Sequence, residues 1–350
     1  MKKPSSSVYT AQILASVATA AAAWFLLPRS GSRSRRPVSP RVVVITGGSR
    51  GLGLALAHRF GRAGDRLVLA ARDTEELSRA REALLERGSV QSAADLLLVP
   101  TDLTDQAQAQ HLIDQAFARF GRIDVLINNA GIIEVGPFEN QPLVAFERAM
   151  NTNFYAALYT IQASLPRMLA QSSQSSMHGR KASIVNISSI GGKIPVPHLL
   201  PYVASKFALT GLSEGLHAEL RHKGIRVTTV CPGLMRTGSS IQAQFTGQAE
   251  KEFGWFSLGA TTPGIAASSG HAANRIFNAT RCGSAEITIT PQAWLAARIH
   301  GTAPSVTQWV AALANQYILP AASTSPTPLT SGAHLKKSGH SKLEQAHNQA

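Results

Sequence analysis

Seven short runs rich in Val, Ile and Leu recur through the middle of this chain, each followed by a turn or a helical stretch, and this alternation leaves few folds open. The runs are VVVIT (42–46), RLVLAAR (66–72), LLLVPTDL (96–103), DVLINNAG (124–131), ASIVNISS (182–189), IRVTTVCPG (225–233) and EITIT (286–290). Their centres do not alternate apolar with polar, so each would be buried on both faces. A parallel sheet covered by helices on both sides provides that burial. Helical spacing fills the gaps, in LGLALAHRFGRAG, TEELSRAREALLERG, a stretch ending at Phe120, about 143–170, Tyr202 to Lys223 and about 263–279. The expectation is an α/β chain with a single doubly wound domain over 42–290, about seven parallel strands with helices on both faces.

The ends differ from this body. Of the net charge of +14, seven units lie in residues 1–41, which contain no acid, and two in 321–350. What remains is spread thinly through the middle, with no basic groove interleaved with aromatics, so nucleic acid is not an expected partner. Two cysteines, Cys231 and Cys282, cannot make a disulfide framework or a four-thiolate zinc site, and no metal is expected. Ala11 to Leu27 is an uncharged run of 17 residues ending near Trp24, about 25 Å long as a helix, the short end of what crosses a bilayer. It reads as a membrane anchor, a cleaved signal peptide or an organelle transit peptide. Arg29, Arg33, Arg35 and Arg36 resist translocation and favour an anchor with the following domain on the cytosolic side. Residues 28–41 read as a basic linker able to lie on anionic lipid. Past the last strand, 291–320 reads as two amphipathic helices carrying Trp294, Leu295, Ile299, Trp309, Val310, Leu313, Ile318 and Leu319. They could cap the subunit, pair with a second copy or lie on a membrane surface. Residues 321–350 read as a disordered tail.

The first strand leads into T-G-G-S-R-G-L-G, Thr46 to Gly53. Gly47, Gly51 and Gly53, with Ser49, Arg50 and Leu52 between them, let backbone approach a pyrophosphate that the next helix attracts with its unpaired N–H groups and dipole. That makes the domain Rossmann-type. Farther on, Tyr202 and Lys206 stand four residues apart on one helix face. A phenol titrates near 10, and an ammonium beside it favours the phenolate. Tyr202 can then serve as general acid toward a carbonyl and as general base in reverse.

The spacing T-G-x-x-x-G-x-G resembles the short-chain dehydrogenase/reductase family, and the likeness recurs in order. Asp102-Leu103, Asn128-Asn129-Ala130-Gly131, Asn153, Ser189, Tyr202-x-x-x-Lys206 and Pro232-Gly233 with Thr237 follow one another across the body. The resemblance implies that Ser189, 13 residues before Tyr202, orients the substrate oxygen, its neighbour Ser188 facing the other way. It implies that Lys206 binds the nicotinamide ribose and that Asn153, rather than Asn151, supports a water-mediated proton path to Lys206. Asp102 and Leu103 would meet the adenine, Asn129 the adenosine ribose, and Pro232, Gly233 and Thr237 the rest of the dinucleotide. Charge favours NADP(H) over NAD(H), because Arg50 and Arg72 could share a 2′-phosphate. Asp73 argues the other way unless it caps the helix starting near Thr74.

A flap between Thr237 and Pro263, with Phe245, Phe253, Trp255, Phe256 and Leu258, Met235 before it, and Ile194, Pro195, Val196, Leu199 and Leu200 before Tyr202, would wall an apolar site. His198, in the same loop, receives no role. The implied activity is an NADP(H)-dependent interconversion of a small lipophilic carbonyl compound and its alcohol, by hydride transfer at a Ser-Tyr-Lys site. The alternative is a non-catalytic membrane-tethered NADP(H) sensor. A sugar-nucleotide epimerase or dehydratase would need a larger C-terminal domain. By the same resemblance the fourth and fifth helices could pair subunits into a homo-oligomer.

Overall fold

The computed structural model describes residues 40–174, 181–261, 266–324 and 327–338. The expected anchor at 11–27, and the linker up to residue 39, lie outside the described residues. Among the described residues no helix is long and apolar enough to cross a membrane.

All seven apolar runs are strands of one sheet: β1 (Val42–Thr46), β2 (Arg66–Ala71), β3 (Leu96–Pro100), β4 (Val125–Asn128), β5 (Ser183–Ile187), β6 (Arg226–Cys231) and β7 (Glu286–Thr288). The order across the sheet is β7-β6-β5-β4-β1-β2-β3, and every pairing is parallel. Side chains of a strand alternate between faces, and here both faces are dry. Val43 and Ile45 pack into one apolar layer with Leu56, Phe60, Ile276 and Phe277. Val42 and Val44 enter the other with Leu112, Ile113, Ile161 and Met168.

The first layer is closed by α1 (Gly51–Gly61), α2 (Thr74–Glu86) and α8 (Ser269–Cys282), the second by α3 (Gln106–Phe120), α4 (Leu143–Met150), α5 (Ala156–Gln174) and α6 (Leu200–Leu220). Local signals set the ends of these helices. Asp73 is extended and its carboxylate accepts the Glu76 N–H at 2.9 Å, so it caps α2 as expected. Asp105 caps α3, which stops at Gly121 in the left-handed region at φ 72°. The strand order reverses between β1 and β4, which opens a crevice at their carboxyl ends, where open α/β sheets hold their ligands.

The departures from expectation lie after β6. The flap consists of a short helical turn (Ser239–Gln242), a strand at Gln244–Phe245 and a helix, α7 (Ala249–Thr261). The helix expected over about 263–279 is α8, displaced to Ser269–Cys282 and capped by Ser268, whose Oγ accepts the His271 N–H. The two C-terminal helices form as α9 (Pro291–Thr302) and α10 (Pro304–Tyr317), packed on each other, with Trp294, Trp309 and Val310 exposed. The tail from 321 is not wholly disordered, contrary to its reading from composition. Thr330–Ser331 pairs antiparallel with Gln244–Phe245, and residues 332–338 are helical. Its Ser, Thr and Pro residues supply the bonds and turns that hold it, so a polar composition did not mean a solvated chain.

Candidate active site

The glycine turn is shaped by what cannot be added to it. A Cβ at Gly53 would lie 2.0 Å from the Gly47 carbonyl oxygen, and Gly47 and Gly51 sit at φ 61° and 55°, where glycine is favoured. Arg50 precedes α1 in extended conformation and makes no side-chain cap, so the first N–H groups of α1 are left for a ligand. Asn129 bolts β4 to this turn, its Nδ2 donating to the carbonyls of Thr46 and Gly47 at 3.0 and 3.1 Å. Thr237 closes from above, its carbonyl 3.3 Å from the place a Gly51 Cβ would take. Bare backbone, an uncapped helix terminus and converging amides fit a dinucleotide pyrophosphate.

The other expected cofactor residues sort themselves by side chain. Leu52 and Leu103 are buried in the two apolar layers, so only their backbones can meet a ligand. Asp102 accepts from the N–H and hydroxyl of Thr104. Pro232 is buried, its carbonyl accepting the Ile190 N–H at 2.7 Å, and Gly233 lies tight against Thr290. Arg72 is exposed just beyond β2. Arg50 is ion-paired with Glu76, which also accepts the Ser49 hydroxyl at 2.9 Å. Glu76 was not singled out from the sequence, although its place three residues after the Asp73 cap was a visible signal.

The second group gathers at the end of β5 and the start of α6. Ser188 turns away, bonded to the Lys206 carbonyl and the Thr210 hydroxyl. Ser189 faces the other way, accepts the Gly191 N–H at 3.0 Å and borders Gly191 together with the Tyr202 ring, 3.6 and 3.5 Å from where a Cβ would stand. One turn along, Lys206 is buried with its Nζ donating to the Ile187 carbonyl at 2.8 Å and 5.7 Å from the centre of the Tyr202 ring. Asn153 sits in a π-helical turn (Asn151–Tyr155) between α4 and α5. Its Oδ1 accepts the Ile132 N–H at 2.8 Å, and its Nδ2 donates to the Ile132 carbonyl and the Ser205 hydroxyl. Asn151 is exposed. Lys206 Nζ and Asn153 Oδ1 both border Gly131, where a Cβ would lie 3.6 and 2.8 Å from them.

The electrostatics differ from the expectation in one respect. Burial raises the half-buried Tyr202 phenol to about 12, against the Ser189 hydrogen bond that lowers it. Burial also lowers the Lys206 ammonium to about 8. In the ligand-free chain the phenol is therefore less acidic than usual, because both groups are withdrawn from water and burial dominates at each.

Over this corner lies a third apolar cluster, built on Val135, Leu199, Val203, Ala243, Phe245, Phe256 and Leu335, with Tyr202, Val196, Phe253 and Trp255 packed against it. Five residues expected in the wall are elsewhere: Leu258 is 69% exposed, Met235 packs in the first layer, and Ile194, Pro195 and Leu200 are half-buried outside this cluster. His198, given no role from the sequence, is buried at φ 62° with its Nδ1 2.8 Å from Glu252. Glu252 is 0% exposed and also takes the Trp255 indole N–H at 2.7 Å. This buried pair pins α7 to the loop before Tyr202.

Residues 41–246 match the family model described as short chain dehydrogenase. The chain is 34% identical over 280 residues to dehydrogenase/reductase SDR family protein 7-like of Anopheles gambiae, covering 79% of this chain and 84% of that protein. It is 32% identical to the human dehydrogenase/reductase SDR family member 7, over 64% of this chain and 63% of the human protein. A solved short-chain dehydrogenase/reductase from Burkholderia phymatum in complex with NAD superposes with TM-score 0.68 at 25% identity, over 77% of this chain and 95% of that one.

Proposed function

The chain belongs to the short-chain dehydrogenase family, an oxidoreductase that binds a nicotinamide cofactor, and from that premise we propose that it interconverts a lipophilic carbonyl compound and its alcohol, with NADP(H) as the preferred cofactor. The observation that carries this reading is the meeting of three side chains: Ser189 Oγ and the Tyr202 ring both border Gly191, 3.6 and 3.5 Å from where a Cβ would stand, and Lys206 Nζ lies 5.7 Å from the centre of that ring. When bound, the cofactor supplies or accepts the hydride.

The residues of the chain do the rest. Ser189 donates to the substrate oxygen and holds it toward Tyr202. Tyr202 keeps its proton at neutral pH, its phenol lying near 12, and gives it to that oxygen as the alcohol forms. Lys206 remains largely charged below about 8 and stabilises the tyrosinate left behind. Asn153 fixes the 131–132 backbone beside the ammonium. The apolar cluster excludes water from the reacting carbon. Arg50 and Arg72 support the 2′-phosphate preference, with Glu76 the group such a phosphate would displace from Arg50.

Residues 11–27 would hold the enzyme at a membrane with its catalytic domain on the cytosolic side, where lipid-soluble substrates partition. Fractionation of the full chain against one starting at Arg41 tests this, and equal soluble recovery would remove the claim. Exposed Leu143, Val144, Tyr155 and Phe207 on α4–α6 support pairing with a second copy.

The decisive variant is Tyr202→Phe. Cofactor binding persists while carbonyl turnover with NADPH falls by about 10²–10⁴-fold. Unchanged turnover would overturn the mechanism, and absent turnover in the wild type would favour the sensor.

A further inference from the structure

We propose that residues 321–324 and 327–338 form a strap that walls the substrate site, with Leu335 as a specificity-determining side chain that sets how long an apolar substrate the site accepts. The proposal deepens the reading above and rests on it.

The strap is built into the fold at separate points along its length. The backbone of Ser323 exchanges two hydrogen bonds with the Asn140 side chain, at 2.9 and 3.0 Å. The Gln248 amide donates to the Ala321 carbonyl at 2.8 Å, and the Thr327 hydroxyl accepts the Gly247 N–H at 2.7 Å. Thr330–Ser331 then adds an antiparallel strand to Gln244–Phe245, which itself pairs with Glu134–Val135. Gly332 follows, its N–H bonded to the Ala243 carbonyl at 2.9 Å, in a passage so narrow that a Cβ would lie 2.0 Å from the Ser240 carbonyl oxygen.

The path delivers one large apolar side chain to the interior. Leu335 is 8% exposed and belongs to the same cluster as Leu199, Val203 and Phe256, against which Tyr202 packs. Its neighbours His334, Lys336 and Lys337 are exposed, so Leu335 is the strap's inward anchor. Because Tyr202 packs against that cluster, a substrate whose oxygen it protonates would extend its tail along the cluster, toward Leu335. The strap arrives from a segment far along the chain, so it shapes that path without altering the Ser189–Tyr202–Lys206 group.

The test uses the full chain and straight-chain methyl ketones from butan-2-one to dodecan-2-one, with NADPH and with NADH. Leu335→Ala shifts the preferred chain length upward by two or more carbons, changing the long-to-short ratio of kcat/KM by about tenfold through KM. Leu335→Phe shifts it downward, and Leu335→Met leaves the profile near wild type. Quenching of Trp255 fluorescence by dodecan-2-one reports the same order without turnover, and titration with NADPH alone is unchanged in all three. Thermal unfolding identifies a variant that fails to fold; should Leu335→Ala do so, Leu335→Phe must still shorten the profile. Wild-type turnover with a profile that neither variant moves overturns the strap alone. A wild type that neither reduces nor binds any ketone overturns the reading of the site, and the strap with it.

Discussion

Around β1 and β4 the site is made of backbone, whereas around Tyr202 it is made of side chains brought from distant stretches of chain. At the glycine turn backbone crowds backbone: the Gly47 carbonyl fills the place of a Gly53 Cβ, the Thr237 carbonyl stands over Gly51, and the Asn129 side-chain amide donates across to the Thr46 carbonyl. Nothing there depends on a large side chain, and the shape follows from where side chains are missing. At the other corner the loop before α6, the helix α7 and the strap meet through Phe245, Phe256, Leu199, Leu335 and the buried His198–Glu252 pair. The first region suits a ligand that does not vary, a pyrophosphate. The second is assembled from parts that can change independently, which suits a variable substrate.

Substitutions should separate the two regions. Gly53→Val places atoms where the Gly47 carbonyl already is, and NADH or NADPH binding, followed by nucleotide fluorescence, becomes unmeasurable. His198→Ala leaves the fully buried Glu252 carboxylate with the Trp255 indole as its side-chain donor among the described residues, and urea unfolding should show a loss of about 3 kcal/mol. His198→Asn, which accepts the left-handed backbone more readily, should lose less. Dinucleotide affinity should be nearly untouched in both; a large loss would break the separation.

The pH dependence follows from Lys206. Its folded value near 8 lies below the ordinary 10.5, so its charge is present below about 8 and shed above it. The kcat/KM for carbonyl reduction should therefore fall roughly tenfold per unit above about 8. In the same window the unfolded chain binds the proton that the folded chain has released, so this group's contribution to ligand-free stability rises between about 8 and 10.5. The smallest effect is at the cofactor edge. Glu76→Gln frees Arg50 from a competing carboxylate, and the ratio of NADPH to NADH affinity should rise about two- to fivefold.

This contrast also explains what the sequence made legible. The seven strands were visible because burial on both faces demands unbroken apolar runs, and the glycine turn because its spacing has few other uses. Tyr202 and Lys206 were visible as one helix face, and Ser189 was separated from Ser188 by alternation. The substrate corner was harder to read for a physical reason. Leu329 and Leu335 are the two leucines of a Ser-, Thr- and Pro-rich stretch, and no periodicity marks Leu335 as the inward anchor. His198 stands in a loop and carries no pattern of its own, and nothing in the sequence ties it to Glu252. Their partnership spans 54 residues and exists only once α7 has folded. The acidity of Tyr202 was misjudged because spacing reveals a neighbour but not the water both groups lose.

The π-helical turn at Asn151–Tyr155 has a consequence for how this gene product can change length. Each residue of a regular helix advances about 100° around its axis, and a π turn accommodates one residue more than the regular path. Deleting one residue there would give a straighter, better bonded rod running from Leu143 to Gln174. It would also rotate the amide of Asn153 away from Ile132 and Ser205, leaving their polar atoms facing a carbon surface. Insertions and deletions are tolerated in many surface loops, but this stretch keeps a count, and an enzyme shortened here would gain helix and lose its grip on the lysine.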